Sequence, residues 1–141
     1  MDTETLLLVT TAFFIYYAFT IPSTLFYYST IQSIPKAHQK INPSMIWINL
    51  LPLFGVIHFF TYTIVSRIAD SFVSFYEHVG DSSIAAKSKS YATAYGVSLL
   101  LSTIPLLGCY LFLPAFGVWV MMILKFHQLS KDVQVTRIVR K

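Results

Sequence analysis

The chain has 141 residues, of which 55% are hydrophobic and 11% are charged, with ten Lys and Arg against six Asp and Glu. An average soluble domain carries about 25% charged residues, and a soluble core of this size cannot bury so much apolar surface. The composition therefore excludes an ordinary soluble domain and favours a protein whose outer surface contacts lipid. The single Cys109 also excludes an internal disulfide and a multi-cysteine metal site.

Three segments are long, apolar and free of Asp, Glu, Lys and Arg: residues 6–28, 45–65 and 94–124. A bilayer core about 30 Å thick is crossed by about 20 helical residues, so each of the first two segments matches one crossing. The third is too long for one crossing and is interrupted by Pro105 and Gly108. The sequence therefore predicts an all-α, single transmembrane domain with four transmembrane helices. These helices are predicted at about residues 5–29, 43–65, 91–107 and 110–128.

The first predicted helix is interpreted as an uncleaved membrane helix, because no basic residue precedes its apolar segment as in a signal peptide. Pro22 predicts a kink inside it. Tyr27 and Tyr28 are expected near a membrane interface, where amphipathic aromatic rings are favoured.

The second predicted helix has a clear start, with Asn42 as the N-cap and Pro43 in the first turn. Past the membrane segment an apolar stripe continues at helical spacing. Its members are Ile68, Phe72, Phe75 and Val79. A continuous helix over residues 43–79 is about 55 Å long at 1.5 Å per residue, so its end is predicted to project from the bilayer.

Gly80 and Asp81 predict a turn between the second and third helices, since Gly favours a helix C-terminus and Asp the next N-cap. Both helices are therefore expected to extend into a cytoplasmic antiparallel hairpin over residues 66–90, whose apolar stripe contacts its own partner helix or another protein. Small residues at four-residue spacing predict close helix packing along the third helix. They are Ser88, Ala92 and Gly96.

Two acidic residues of the hairpin, Asp70 and Glu77, lie on one helical face. Two helical turns separate them by about 10 Å, which is too far for both to bind one metal ion. A solvated face or a salt bridge to Lys87 or Lys89 is therefore favoured over a metal site.

The third helix is predicted to end at Pro105 and Gly108, and residues 129–141 are predicted to form a basic tail, either frayed or lying on anionic headgroups. With four crossings and both termini cytoplasmic, the inner side carries eight Lys and Arg, and the outer side carries only Lys36 and Lys40. This asymmetry agrees with the positive-inside rule. The alternative, in which the third segment crosses once, gives seven against three.

His58 is the one classically ionisable side chain near the middle of an apolar segment. Such a His is either a functional group that binds haem iron or relays protons, or a neutral side chain hydrogen-bonded to a neighbouring helix. Haem usually needs a second axial ligand. His127 is expected at a different depth in the membrane from His58, so the two are a poor pair of haem ligands. Asn49 lies nine residues away, so on one continuous helix its side chain points to nearly the opposite side from His58. Each is therefore a candidate for an interhelical hydrogen bond or an interface.

The letters INPSMIWINLLPLFG over residues 41–55, followed by RIADSF over residues 67–72, resemble small uncharacterised bacterial inner-membrane proteins with four helices. The shared features are a P-x-x-x-W helix start and an R-I-x-D-S exit, and the resemblance covers about residues 41–107. It implies an integral multi-pass protein of the bacterial inner membrane. It implies no catalytic residue, and His58 departs from the Trp expected at its position.

No motif of an enzyme class occurs, and the scattered basic residues do not form a nucleic-acid surface. The sequence therefore predicts a non-catalytic membrane subunit or scaffold without a cofactor, which binds a partner protein or forms a homo-oligomer. The alternatives are a haem- or quinone-binding redox subunit that uses His58, and a small transporter or immunity-type membrane protein. The interface candidates are Asn49, His58, Ile68, Phe72, Phe75, Val79, Ser88, Ala92 and Gly96.

Overall fold

The computed structural model describes residues 2–51, 57–101 and 105–139, and within these ranges the fold is all-helical, as predicted. The α-helices are α1 (Thr3–Ser33), α2 (Ile57–Val79), α3 (Ser82–Leu101) and α4 (Pro105–Val139). Two 3₁₀ segments, Lys36–His38 and Pro43–Leu50, lie between α1 and α2.

Helix α1 is longer than predicted at both ends. Asp2 is its N-cap, and the carboxylate accepts a hydrogen bond of 3.1 Å from the backbone N–H of Thr5. Hydrogen bonding from the Thr5 side chain and from its backbone N–H favours the ionised carboxylate and lowers the pKa of Asp2. The helix continues through Pro22 and ends at Ser33, because Ile34 precedes Pro35 and takes the extended conformation that a following proline favours.

The predicted continuous helix over residues 43–79 is wrong. Asn42 does cap a helix, accepting from the Ser44 N–H at 3.0 Å, but Pro43–Leu50 is a 3₁₀ helix that ends in extended backbone at Leu51. The following residue is Pro52, and the residue before a proline is disfavoured in the α conformation. The next described helix, α2, spans Ile57–Val79.

The predicted hairpin of α2 and α3 is confirmed. Gly80 adopts a positive φ of 92°, and the Asp81 N–H donates to the Tyr76 carbonyl at 2.9 Å, which satisfies a carbonyl at the end of α2. The helices then run antiparallel. Lys89 forms a salt bridge of 3.1 Å with Asp70, as the sequence favoured over a metal site.

The third apolar segment is divided between two helices, as predicted, but α3 ends at Leu101 and α4 begins at Pro105, so the boundary does not lie at Pro105 to Gly108; the predicted tail is wrong over residues 129–139, which are helical. Pro105 starts α4, where its missing N–H costs nothing, and Gly108 lies inside this helix. The helix then extends to Val139 because Leu129 and Val133 are fully buried in the core.

Helices α1, α2 and α4 run in the same direction. Along α1 and α4, Tyr27 lies beside Trp119, and further toward both C-termini the Ser130 hydroxyl donates to the Ser33 hydroxyl at 2.7 Å. Phe72 of α2 packs against Phe126 of α4 with ring centroids 5.5 Å apart. Only α3 runs the opposite way.

This arrangement is possible because the segment between α1 and α2 returns along α1. It starts at His38, whose Nδ1 lies 3.2 Å from the Ser74 hydroxyl, and at Lys40, whose N–H donates to the Ser71 hydroxyl at 2.8 Å. It reaches Asn49, whose carbonyl accepts from the Tyr16 hydroxyl at 2.9 Å. The start of α1 and the end of α4 therefore lie at opposite ends of the bundle, contrary to the prediction that both termini share one side.

The bundle has two halves of different character. In the basic half (residues 27–46, 64–92 and 122–139) lie all described Lys and Arg residues, including Lys36 and Lys40, which the sequence interpretation assigned to the other side. The apolar half consists of the described residues of 2–26, 47–63 and 93–121, and its charged residues are Asp2 and Glu4.

Burial follows the same division. Apart from Ile57 and Tyr95, every buried hydrophobic side chain of the described chain lies in the basic half. Apart from Met45, Leu124 and Val135, every exposed large hydrophobic side chain lies in the apolar half. Within the described residues, α1 is the one helix whose length and hydropathy suit a membrane crossing, and none of its most apolar stretch is buried.

Candidate binding cleft

An open cleft of about 390 Å³ lies in the apolar half, between α1, the start of α2, the end of α3 and α4. Its walls are mainly apolar and aromatic, and polar side chains from three helices and the 3₁₀ segment interrupt them. None of the lining residues is Asp, Glu, Lys or Arg. They are Ile15, Tyr16, Phe19, Thr20, Ser23, Tyr27, Asn49, Ile57, His58, Thr61, Tyr95, Leu99, Ala115, Phe116 and Trp119.

Asn49 is held at the cleft by both its backbone and its side chain. The Tyr16 hydroxyl donates to the Asn49 carbonyl at 2.9 Å and lies 3.1 Å from the Leu51 carbonyl, which satisfies backbone groups where the 3₁₀ helix ends. The Thr61 hydroxyl donates to the Asn49 side-chain carbonyl at 3.0 Å. The amide nitrogen of the buried Asn49 makes no hydrogen bond to a described residue, so it remains a donor.

His58 lies in the first turn of α2 and is half-buried. The prediction that His58 and Asn49 point to opposite sides is wrong, because they do not share one helix. The chain leaves the 3₁₀ helix at Leu51 and re-enters helix at Ile57, which brings both side chains to one cleft. Among the described residues the His58 ring has no hydrogen-bond partner.

Aromatic side chains form the end of the cleft nearest the basic half. Tyr27 is 1% exposed, and its hydroxyl lies beside Tyr95 and Trp119. Neither neighbour meets the hydroxyl with hydrogen-bond geometry, so among the described residues the buried Tyr27 hydroxyl is unpaired. An unpaired buried hydroxyl is costly.

Four other hydroxyls of the lining are already paired, those of Tyr16, Thr20, Ser23 and Thr61. Thr20 donates to the Tyr16 carbonyl at 2.6 Å, and Ser23 donates to the Phe19 carbonyl at 2.8 Å. These bonds lie within α1 and complete its backbone pattern around Pro22. The unpaired groups that a ligand in the cleft can reach therefore include the Asn49 amide and the His58 ring, whereas the Tyr27 hydroxyl is buried.

The described residues contain no cluster of three or more His, Cys, Asp and Glu side chains that suits a metal ion. His58 is also the single histidine among the lining residues, while His127 is exposed elsewhere on α4. The cleft thus offers a haem iron one axial histidine among the described residues. Its volume and composition match those of small-molecule sites, which are largely apolar with a few placed polar groups.

The remaining interface candidates contribute to packing inside the chain. Ile68 and Phe72 are fully buried and Phe75 nearly so, while Val79 is partly buried against the same core. Ser88 and Ala92 are buried, and the backbone of Gly96 packs directly against the Tyr62 ring. In this conformation these residues stabilise the fold and are not available to a partner.

Sequence reasoning missed the aromatic end of the cleft. Tyr27, Tyr95 and Trp119 come from three separate apolar segments, and nothing in their spacing relates them. A usable signal was the set of hydroxyl-bearing side chains inside the first segment, among them Tyr16 and Thr20. In a helix surrounded by lipid, such side chains favour an inward orientation.

No family model, curated protein or solved structure matches the chain. The case for its function therefore depends on its own residues.

Proposed function

We propose that the chain is an integral membrane protein whose apolar half lies in the hydrocarbon core and whose basic half faces the cytoplasm. In this arrangement α1 and α4 cross the bilayer, and residues 93–101 of α3, about 14 Å long, enter it from the cytoplasmic side. The 3₁₀ segment and α2 form a re-entrant hairpin that enters from the cytoplasmic side and returns to it. The N-terminus is then outside and the C-terminus inside.

The distribution of charge supports this orientation. All described Lys and Arg residues lie on the proposed inner side, while Asp2 and Glu4 lie on the outer side, and basic residues favour the cytoplasmic side of a membrane protein. Residues 105–124 of α4 contain no charge and span about 30 Å, the thickness of a bilayer core. The charge-free part of α2, residues 57–66, spans about 15 Å, which suits a re-entrant helix.

Exposure supports the same arrangement. Side chains such as Phe14 (75% exposed), Leu8 (72%) and Leu113 (76%) point outward from the apolar half. Water penalises so large a contiguous apolar surface, whereas lipid does not. The end of the 3₁₀ helix and the extended backbone at Leu51 are also acceptable at membrane depth, since Tyr16 pairs with the carbonyls of Asn49 and Leu51 beside a cleft.

Reporter fusions test the orientation. A periplasmic reporter fused before Thr3 should be active, and reporters fused after Lys40 and after Lys141 should both report a cytoplasmic position. Opposite positions for the latter two would support four alternating crossings and contradict the re-entrant hairpin.

We further propose that the cleft binds a lipid-soluble small molecule that carries a polar group, and that this binding is the function of the protein. The observation that supports it is that two polar groups of one cleft, the Asn49 amide and the His58 ring, have no hydrogen-bond partner among the described residues. A purely structural scaffold gains nothing from leaving these groups unpaired at membrane depth, where each costs free energy.

Tryptophan fluorescence tests this function. The chain has two tryptophans, so Trp47→Phe leaves Trp119 in the cleft as the sole reporter. In lipid nanodiscs, 10-bromodecanol should quench Trp119 saturably, because bromine quenches at contact. A Phe116→Ala variant, which widens the wall beside Trp119 (ring centroids 5.5 Å apart), should change the saturation midpoint.

Linear, unsaturable quenching that Phe116→Ala leaves unchanged would mean that the alcohol reaches Trp119 only by dissolving in the bilayer. The proposed binding function would then be wrong.

A further inference from the structure

We infer that His38 and His78 together bind one divalent transition-metal ion, of the class of Zn²⁺, on the surface of the basic half. The two side chains come from separate elements: His38 ends the first 3₁₀ segment, and His78 lies in the last turn of α2. Neither lines the cleft, so the metal site and its test do not depend on the proposed binding function.

The spacing of the two imidazole rings matches that of two ligands of one ion. Their centroids lie 5.2 Å apart, and the ring planes are inclined by 43°. Zn–N bonds of about 2.0–2.1 Å and a tetrahedral angle place the centroids of two bound imidazole rings about 5 Å apart. The backbone therefore already holds the rings at ligand spacing, and rotation of the exposed His78 side chain is enough to direct one of its nitrogens at the ion.

His38 also has the outer hydrogen bond that is typical of a metal ligand. Its Nδ1 lies 3.2 Å from the Ser74 hydroxyl, and a metal-binding histidine usually donates its second ring N–H to such a partner. When Nδ1–H donates to Ser74, the lone pair that binds a metal lies on Nε2. Ser74 precedes His78 by four residues on α2, so their side chains share one helical face and the bond to Ser74 keeps the His38 ring beside His78.

The 3₁₀ segment that carries His38 is fixed to both neighbouring helices. The Gln39 side chain donates to two backbone carbonyls at the end of α1, each at 2.9 Å. The next residue, Lys40, donates its backbone N–H to the Ser71 hydroxyl of α2 at 2.8 Å. These bonds hold His38 in position before any ion binds, and a ligand set on rigid elements has less conformational freedom to lose on binding.

The ligand atoms define the class of metal. Neutral imidazole nitrogens suit Zn²⁺, Cu²⁺ and Ni²⁺, whereas Mg²⁺ and Ca²⁺ require oxygen ligands. The tetrahedral spacing of the rings favours Zn²⁺ among the first three. The described residues form no group of three His, Cys, Asp or Glu side chains, so water completes the coordination of an ion held by this pair. The ion joins the 3₁₀ segment to the end of α2.

Equilibrium dialysis of the full chain in detergent micelles against radioactive Zn²⁺ tests the site, with a purification tag free of histidine. We expect saturable binding of one ion per chain. His38→Gln and His78→Gln should each weaken this binding at least about tenfold, and Ser74→Ala, which removes the outer hydrogen bond, by about tenfold. His127→Gln is the matched control, because it removes an exposed histidine of α4, and it should change nothing.

Pulsed electron paramagnetic resonance with Cu²⁺ in place of Zn²⁺ then counts the imidazole rings on the ion. We expect two rings in the wild type and one in either histidine variant, and unchanged circular dichroism shows that the variants are folded. Absence of saturable zinc binding, binding that survives both histidine variants, or a single bound ring in the wild type would each overturn the inference. None of these outcomes affects the quenching of Trp119, which is measured without metal and tests the cleft separately.

Discussion

The basic half and the apolar half of the bundle are packed by opposite rules. In the basic half, rings and branched side chains such as Phe72, Phe126 and Ile31 are fully buried, and charged groups lie outside. In the apolar half, large hydrophobic side chains point outward, and polar groups such as Asn49 line the interior. In water the apolar face of a helix turns toward the protein core, whereas in a membrane it can face lipid. The reversal between the two halves therefore agrees with a change of surroundings from water to lipid.

The difference in packing between the two halves also explains where a binding site is expected. A closely packed core leaves no space for a ligand, and its polar groups pair with each other, as Ser33 does with Ser130. The apolar half lacks the hydrophobic drive to close, since lipid is as apolar as a neighbouring helix. A cleft with unpaired donors can persist there and remain open to lipid-soluble molecules.

The largest expected difference between the halves comes from truncating a phenylalanine in each. Phe72→Ala leaves a cavity against Phe126 and should lower the free energy of unfolding by about 3–5 kcal/mol. Phe14→Ala removes a side chain that is 75% exposed to the proposed lipid and should cost less than about 1 kcal/mol. Denaturation in detergent micelles, followed by tryptophan fluorescence, measures both. Equal losses would show that the two halves are packed alike.

Two glycines of the apolar half contrast a closely packed position with an open one, each tested by a single methyl group. A Cβ on Gly96 collides with the Tyr62 ring, so Gly96→Ala should destabilise the fold by about 1–3 kcal/mol. A Cβ on Gly117 of α4 meets no atom within 4 Å, so Gly117→Ala should stabilise it by about 0.4–1 kcal/mol.

Thermal unfolding in matched nanodiscs measures both changes. Tyr62→Leu should restore much of the loss in Gly96→Ala, because it removes the ring that collides. A loss that persists in the double variant would place the strain elsewhere.

In the basic half the sequence predicted one helix start, the turn between α2 and α3 and the salt bridge, because their signals are local, but it missed that α4 continues through residues 129–139. Asn42 and Pro43 mark a helix start, Gly80 and Asp81 a turn, and the spacing of Asp70 and Lys89 across that turn allows a salt bridge. Each feature depends on neighbours in the chain or directly across one hairpin.

The path of the chain in the apolar half could not be predicted in the same way. Residues 45–65 are uniformly apolar, so hydropathy cannot distinguish one straight helix from a 3₁₀ segment followed by a helix that returns. Pro52 was the available sign of a break, because it disfavours the α conformation at Leu51. That break explains why Lys36 and Lys40 lie in the basic half. It also explains why the Asn49 and His58 side chains line one cleft.

A smaller effect is expected from the polar pair that joins α1 and α4. The Ser130 hydroxyl donates to the Ser33 hydroxyl at 2.7 Å in the basic half, so Ser130→Ala should cost about 1 kcal/mol. Thr10→Ala is the matched control in the apolar half, where the hydroxyl donates to the Leu6 carbonyl of its own turn, and it should cost less than about 0.5 kcal/mol. Urea titration of detergent-solubilised protein compares them. A larger loss in Thr10→Ala would contradict a cross-bundle role for Ser130.

The smallest expected effect concerns the salt bridge between Lys89 and Asp70. The two side chains are 60% and 31% exposed, so water and salt screen their attraction, and such pairs usually contribute about 0.2–1 kcal/mol. Lys89→Gln should therefore lower the free energy of unfolding by less than about 1 kcal/mol, and the difference from wild type should vanish at 1 M NaCl, where the screening length is about 3 Å. Lys87→Gln on the same helix, with no salt bridge to a described residue, is the control. A loss in Lys89→Gln that persists at high salt would mean that the Lys89 side chain stabilises the hairpin by packing along it. It would also contradict the conclusion that water surrounds the basic half of the bundle.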